Sequence, residues 1–482
     1  MRRLIVLLLA ISMNYADERG KPYQKDKVCQ ELKFLGKDKF SAVALVMNSR
    51  KYSNATFEEI GHLVTAIVSL SETCCATEAA ADCYDKKADA LSVQSCDPKS
   101  PFPKHPGVER CCVHKGLERK LCLADLKQPP KEFPTYTEPS NEKLCESFKE
   151  NAQLFSSRFL YDYSSNYAQT PFLVVVNYTE KYLKMITECC TKPRQTQCFL
   201  KQRLQIKSLH LLTMMSNTLC GRYNIYGEEK FKFSASIRLA QKVPSADLKD
   251  VMQLVEQCAK VLAKCCNTIT DDCMENELSM HVQQVCKKFT SKDAKVAECC
   301  KKSPIETLHC LYTLPSAEPV QLPTLQWPSS DELCKKGKNQ EIVKYTLERA
   351  RRNTKLPLLF INKLYDSFKE LVNGCCISQT PNVCLENKKS QLNEEMNKYI
   401  SQATELCGDY HKYPFLEFKE RLNKALSRRV PKLSTSQVKE MVEARSSLAS
   451  TCCLINAPPV YCREMINKFL NSTCLQESCL LQ

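Results

Sequence analysis

Glycine is scarce in this chain, at 10 of 482 residues. Turns that need positive φ, and loops that cradle phosphate, therefore have little to be built from. No G-x-G-x-x-G, Walker loop, G-x-S-x-G or H-E-x-x-H occurs. The seven histidines, His62, His105, His114, His210, His281, His309 and His411, fall in no ligand or triad pattern. Carboxylate pairs such as Glu58-Glu59 and Glu394-Glu395 read as solvated helix faces. Nothing here argues for an enzyme, and no cofactor or metal is implied. Acid is also under-represented: Lys plus Arg number 69 against 54 for Asp plus Glu, a net charge of +15. The basic pairs are scattered, with one short cluster at Lys335-Lys336-Gly-Lys338, so no nucleic-acid arm is expected. Acidic protein partners and anionic ligands fit this balance better.

What the chain has is cysteine, 31 in all. Seven adjacent pairs occur: Cys74-Cys75, Cys111-Cys112, Cys189-Cys190, Cys265-Cys266, Cys299-Cys300, Cys375-Cys376 and Cys452-Cys453. A single Cys precedes each doublet and another follows it, and the unit C…CC…C uses 28 of the 31. The doublets do not offer zinc spacing. The N-terminus points to an oxidising compartment instead. Arg2 and Arg3 precede an apolar run from Leu4 to Ile11, and Ala16 is a plausible cleavage residue. This run is too short to span a bilayer and reads as a secretory leader over residues 1–16. No later stretch could cross a membrane. A secreted chain with oxidised cysteines is expected. Asn54, Asn177 and Asn471 head glycosylation sequons.

Neighbouring residues on a helix point about 100° apart. Two adjacent cysteines at a helix end can therefore bridge to different helices, whereas a bond between the two themselves would be badly strained. The natural pairing joins the leading Cys to the second member of the doublet and the first member to the trailing Cys. It predicts Cys29–Cys75, Cys74–Cys83, Cys96–Cys112, Cys111–Cys122, Cys145–Cys190, Cys189–Cys198 and Cys220–Cys266. It continues with Cys265–Cys273, Cys286–Cys300, Cys299–Cys310, Cys334–Cys376, Cys375–Cys384, Cys407–Cys453 and Cys452–Cys462. Cys258, Cys474 and Cys479 remain. Cys258 reads as a buried, inert thiol on an apolar stripe.

The distances from leading Cys to doublet run 45, 15, 44, then 45, 13, 41, then 45. Two complete copies of one domain and a truncated third are implied. Prolines at 129, 130, 134 and 139 recur as prolines at 315, 319, 323 and 328, inside the copies rather than between them. Phe199, Arg203, Ile206 and His210 can carry a helix across the first boundary, so stiff joints are expected. Helical periodicity dominates, as in Phe57, Ile60, Val64, Ile67 and Leu70, or Leu248, Val251, Val255, Cys258 and Leu262. The fold class expected is all-α, in disulfide-braced helical bundles with apolar clefts.

The tandem C…CC…C order resembles the serum albumin superfamily across essentially the whole chain after the leader. The shortened third copy, and the strings Gly116-Leu-Glu-Arg-Lys-Leu-Cys122, Phe133-Pro-Thr-Tyr136, Leu239-Ala-Gln-Lys-Val-Pro244 and Pro458-Pro-Val-Tyr-Cys462, are similar to a branch of that family that carries vitamin D sterols. The resemblance implies domains at 17–208 (sterol-binding), 209–394 and 395–482 (truncated). It implies a monomeric plasma carrier of vitamin D and its 25-hydroxylated metabolites that also sequesters monomeric actin, through a surface that includes Lys388 to Phe418. An actin scavenger with incidental ligand binding and a fatty-acid carrier are the alternatives. The sterol wall matches Phe40, Val43, Met47, Tyr52, Tyr84 and Leu91. The first three share one helix face at i, i+3, i+7. Of the family's positions at the sterol hydroxyls, a serine is retained as Ser92, a tyrosine is replaced by Asn48 and a methionine by Leu123. The start of the mature chain, Asp17-Glu-Arg19, lacks the third-position His of the family's copper site.

Overall fold

The computed structural model describes residues 21–126, 135–267, 272–334, 338–454, 457 and 462. The leader over 1–16, Asp17 to Arg19, Pro129, Pro130, Phe133, Pro134, Lys335, Lys336, Asn471, Cys474 and Cys479 lie outside them. Among the described residues every regular element is a helix. The first nine are α1 (Lys21–Lys51), α2 (Phe57–Cys74), α3 (Cys83–Gln94), α4 (Val108–Cys112), α5 (Gly116–Asp125), α6 (Asn141–Glu150), α7 (Ala152–Asn166), α8 (Phe172–Cys189) and α9 (Gln195–Lys242). Seven more follow: α10 (Leu248–Cys265), α11 (Cys273–Phe289), α12 (Ala294–Cys299), α13 (Pro304–Thr313), α14 (Ser330–Cys334), α15 (Lys338–Arg352) and α16 (Leu358–Cys376). The last three are α17 (Pro381–Lys412), α18 (Phe415–Arg429) and α19 (Thr435–Cys452).

Local chemistry starts and stops these helices where the doublets need them. Thr56 caps α2 in a capping box. Its hydroxyl accepts from the Glu59 amide at 3.2 Å, and the Glu59 carboxylate accepts from the Thr56 amide at 2.8 Å. Eighteen residues later the helix ends at Cys74, with Cys75 as its C-cap. Ser434 and Gln437 form the same box ahead of Cys452. Each doublet thus sits at a helix terminus.

Fourteen disulfides are formed, and each leading Cys joins the second member of its doublet. Each trailing Cys joins the first member. Cys74, Cys111, Cys189, Cys265, Cys299, Cys375 and Cys452, the seven first members, are all buried. The second members lie nearer the surface. In three pairs the bond from the leading Cys is buried as well: Cys145–Cys190, Cys220–Cys266 and Cys407–Cys453. Cys258 is the free thiol among the described residues, and burial pushes it up to about 12, so it stays protonated at neutral pH.

Two helices bend. Gly36 in α1 has φ +73° and ψ 163°, and Gly227 in α9 has φ +73° and ψ 167°. That region of backbone space belongs to glycine. Each glycine falls seven residues after its copy's leading Cys, Cys29 or Cys220. Helices run through both copy junctions: α9 from Gln195 to Lys242, with its bend at Gly227, and α17 from Pro381 to Lys412.

The chain divides into two compact units, Met1–Gly227 with Lys260–Met280, and Glu228–Ala259 with His281–Gln482. The first is built on stacked rings: Phe159 lies on Tyr182 with centroids 4.2 Å apart, and Tyr163 on Tyr178 at 4.5 Å. The second is centred on Phe360, Phe368, Val372, Ile342 and Leu347. Its lone tryptophan, Trp327, meets Tyr345 and Phe368 edge-on at 5.3 and 5.1 Å.

Candidate ligand-binding site

The first unit brings α1, α3 and α5 together at one end. α1 supplies Phe40, Val43, Met47 and Asn48, and Tyr52 follows its last residue. Tyr84, Leu91 and Ser92 come from α3, and Leu123 from α5. Phe40, Val43 and Tyr52 are buried in the unit's main apolar cluster, and Met47, Tyr84 and Leu91 pack against it half-buried. All six wall residues named from the sequence thus belong to, or pack against, one large apolar cluster, which also takes in residues of α2, α7 and α8. Leu123 belongs to a separate small cluster with Cys111 and Leu126.

The polar groups around that surface are specific. Asn48 turns its amide into its own helix, donating to the Ala44 carbonyl at 2.8 Å, which leaves its side-chain carbonyl as an acceptor. Ser92 is buried and donates to the Asp89 carbonyl at 2.7 Å. Arg119, from α5, donates through Nε to Ser92 Oγ at 2.9 Å and through its terminal nitrogen to Asp89 Oδ1 at 3.0 Å. Tyr52 meets the His105 ring edge-on at 6.4 Å, and burial raises its phenol to about 12. Tyr84 is raised to about 12 as well, first by burial and then by the charges of Asp85 and Glu31. Both phenols are neutral donors at physiological pH.

Three charged residues that pattern reading passed over tie α1, α3 and α5 to their neighbours. Lys51 reaches from the end of α1 to the last turn of α5, where its ammonium donates to the carbonyls of Leu123 and Ala124. Burial depresses its pKa to about 8, partly offset by Asp125. Arg50, its neighbour, donates to the Thr170 carbonyl. Arg119 is the third. In the sequence each looks like one more cation on a basic, helical surface. The signal that could have found Arg119 was its place inside Gly116–Cys122, seven residues framed by the Cys111–Cys122 bond.

Asn54 is exposed in the turn after α1. Asn177 lies half-buried on α8, and the threonine of its sequon, Thr179, is buried with its hydroxyl on the Val176 carbonyl at 3.0 Å. Among the described residues no cluster of His, Cys, Asp or Glu could hold a metal ion, and no helix is long and apolar enough to cross a membrane.

Two full disulfide-braced copies and a short third define a class of helical binding protein, and the comparisons place the chain in it. Residues 27–199 and 218–385 match the serum albumin family, and the chain belongs to that family. Residues 405–469 match the family described as vitamin D binding protein, domain III. The chain is 43% identical over 468 residues to the vitamin D-binding protein of Mus musculus, covering 97% of this chain and 98% of that one. It is 42% identical over 473 residues to the vitamin D-binding protein of Homo sapiens, covering 98% and 100%. A crystal structure of human afamin aligns with a TM-score of 0.45 at 20% identity, over 90% of this chain and 77% of that one.

Proposed function

We propose that this protein is a secreted carrier of vitamin D sterols, including 25-hydroxylated forms, with its cleft between α1, α3 and α5 of the first unit. What supports the reading is that Phe40, Val43, Met47, Tyr52, Tyr84 and Leu91 belong to or pack against one apolar cluster, with the buried Ser92 next in sequence to Leu91, in a chain whose near-full-length relatives are named vitamin D-binding proteins. An apolar wall with a few fixed polar groups is what a largely hydrocarbon ligand with terminal hydroxyls requires. Asn48 is shorter than tyrosine and has no ring face, so it meets a hydroxyl through its carbonyl oxygen or through a water. The same reading divides the chain after residues 208 and 394. It also gives the protein a second partner, monomeric actin, on a wide surface that includes Lys388 to Phe418.

A fatty-acid reading has one observation behind it. The second unit holds a cavity of about 530 Å³ whose lining includes Leu356, Leu358, Arg238, Lys242 and His411. An apolar floor with cations at its edge suits an amphipathic carboxylate.

Titration of the purified protein with labelled 25-hydroxyvitamin D, monomeric actin and a long-chain fatty acid separates these readings. Sterol binding far tighter than fatty-acid binding is expected. Fatty acid binding as tightly as sterol would overturn the primary reading. Asn48→Tyr is expected to shift preference among side-chain-hydroxylated sterols, and unchanged selectivity would remove Asn48 from the site.

A further inference from the structure

We propose that the cavity of the second unit is a second, independent ligand site, for a drug-sized organic anion: an apolar body with a single carboxylate or sulfonate head. The inference deepens the fatty-acid reading of that cavity and does not depend on the sterol reading.

The cavity of about 530 Å³ lies where the end of α9, the α15–α16 loop, α17 and the end of α19 meet, and its described lining belongs wholly to the second unit. Internal repetition explains why there is space here. At the first copy junction, Gln169 in the loop between α7 and α8 closes onto α9. Its backbone N–H donates to Asn217 Oδ1 at 2.9 Å, and its side-chain oxygen accepts from Asn224 Nδ2 at 3.4 Å. Asn217 and Asn224 stand three residues before and four after Cys220. Thr404 and His411 stand in the same places around Cys407, and both line the cavity. The loop that faces them is one residue shorter. It reads Thr354-Lys355-Leu356 between Asn353 and Pro357, against Tyr167-Ala168-Gln169-Thr170 between Asn166 and Pro171. The anchor at the end of the loop is kept: Arg50 donates to the Thr170 carbonyl, and Gln241, at the same register in its copy, donates to the Leu356 carbonyl at 2.6 Å. Thr354 and Lys355 thus span what Tyr167, Ala168 and Gln169 span in the first copy, and no glutamine is left to reach α17. His411 lies instead on the Cys453 carbonyl, 2.8 Å from its Nε2.

The lining sorts a ligand by charge. Leu356, Leu358, Leu359 and the Cys407–Cys453 bond supply apolar surface. Among the described residues, Arg238, Lys242, Lys355 and Lys412 line the cavity against one carboxylate, Glu318. Glu318 pairs with Lys355 at 3.0 Å, so these two cancel. Lys242 donates to neutral partners, the carbonyls of Leu311 and Tyr312 at 2.9 and 2.5 Å. Arg238 and Lys242 are half-buried and Lys412 is exposed, which sets the charge at the edge of an apolar recess. Ammonium and guanidinium groups only donate, and they bind an ionised oxygen more strongly than a neutral one. A cavity of this size takes a drug-sized molecule. An uncharged alcohol of the same length gains the apolar burial and little else.

Gly408 gives a way to fill the cavity without touching its cations. It lies on α17 in the lining, and a Cβ added there would meet nothing within 4 Å.

The test is calorimetric titration of the full chain, saturated with 25-hydroxyvitamin D, with decanoate, decanesulfonate and decanol. Both anions are expected to bind about tenfold or more tighter than the alcohol. Gly408→Phe is expected to weaken both anions about tenfold or more and to leave sterol affinity unchanged. Gly374→Phe is the control for bulk on a helix: its added Cβ also meets nothing within 4 Å, it is outside the cavity lining, and less than about a twofold change is expected. Arg238→Gln is expected to narrow the gap between anion and alcohol several-fold. If loss of helical circular dichroism shows that Gly408→Phe does not fold, Gly408→Leu and Arg238→Gln carry the test. Decanol binding as tightly as decanoate would overturn the inference, and so would anion affinity that is unchanged in the folded Gly408 variant. Anion binding abolished by saturation with sterol would overturn the independence of the site. A long-chain carboxylate that fails to displace decanoate would overturn the fatty-acid reading and leave the anion site standing.

Discussion

Glu31 shows how one residue can set a pH dependence. It sits on α1, 2% exposed, and neither carboxylate oxygen has a hydrogen-bond partner. Burial raises its pKa to about 7, and the charge of Lys27 offsets part of that. A carboxyl that holds its proton more tightly when folded weakens the fold as it ionises. Its stabilising contribution is complete below the unfolded value near 4.5 and is lost as pH rises to about 7. Glu31→Gln is therefore expected to have little effect at pH 4.5 and to gain about 1 to 2 kcal/mol over the wild type at pH 8. Urea titrations of both proteins at the two pH values measure this. A variant that gains equally at both would show that ionisation of Glu31 is not the cause. The sequence displayed Phe40, Val43 and Met47 because apolar spacing survives in one dimension. It hid Glu31, Lys51 and Arg119, because a buried charge and a solvated one are written with the same letter. Only the contacts of a folded chain tell them apart.

Among the elements, the cysteine doublets carried most of what could be read in advance. A doublet at a helix end has two directions to reach, and its flanking spacing names the partners. The bonds differ in what they restrain. Cys29–Cys75 closes 46 residues and Cys74–Cys83 closes 9. In the chain-entropy account, replacing the first pair with alanines costs about 4 kcal/mol and the second about 2.5 kcal/mol. Denaturant midpoints of the two double variants test that order, and an equal loss would place the cost in packing around the buried Cys74 instead. The helix bends were not legible. Scarce glycine suggested few special backbone positions, yet Gly36 and Gly227 occupy the same register in the two full copies. The equivalent place in the third copy, seven residues after Cys407, is Pro414, where α17 gives way to α18. Each copy thus breaks its first helix at one point, by glycine twice and proline once. A Cβ added at Gly36 would meet nothing within 4 Å. Gly36→Ala is nevertheless expected to cost about 1 to 3 kcal/mol, wholly from backbone strain at φ +73°. A stability within 0.3 kcal/mol of wild type, a figure of about half of thermal energy, would show that α1 straightens without penalty.

At the scale of the whole molecule, the two proposed partners make different demands on the same chain. A sterol meets a few side chains, and every candidate residue for it lies in the unit Met1–Gly227 with Lys260–Met280. Actin requires breadth, because stable protein interfaces bury surface from some 20–30 residues a side. The net positive charge can speed such an encounter without specifying it. The fourteen disulfides each close within one unit, so each unit is braced by its own bonds. Ligand binding lowers the population of open states only where the opening would break the site. Hydrogen exchange with 25-hydroxyvitamin D bound is therefore expected to slow in peptides covering Phe40–Tyr52, Tyr84–Ser92 and Gly116–Leu123. Peptides covering Phe360–Val372, in the core of the other unit, are expected to keep their unliganded rates. Actin added in place of sterol is expected to protect the segment from Lys388 to Phe418 and to leave Tyr84–Ser92 unchanged. Sterol protection confined to the second unit, around Leu356 and His411, would move the carrier site to the cavity there and leave the α1–α3–α5 surface as ordinary core.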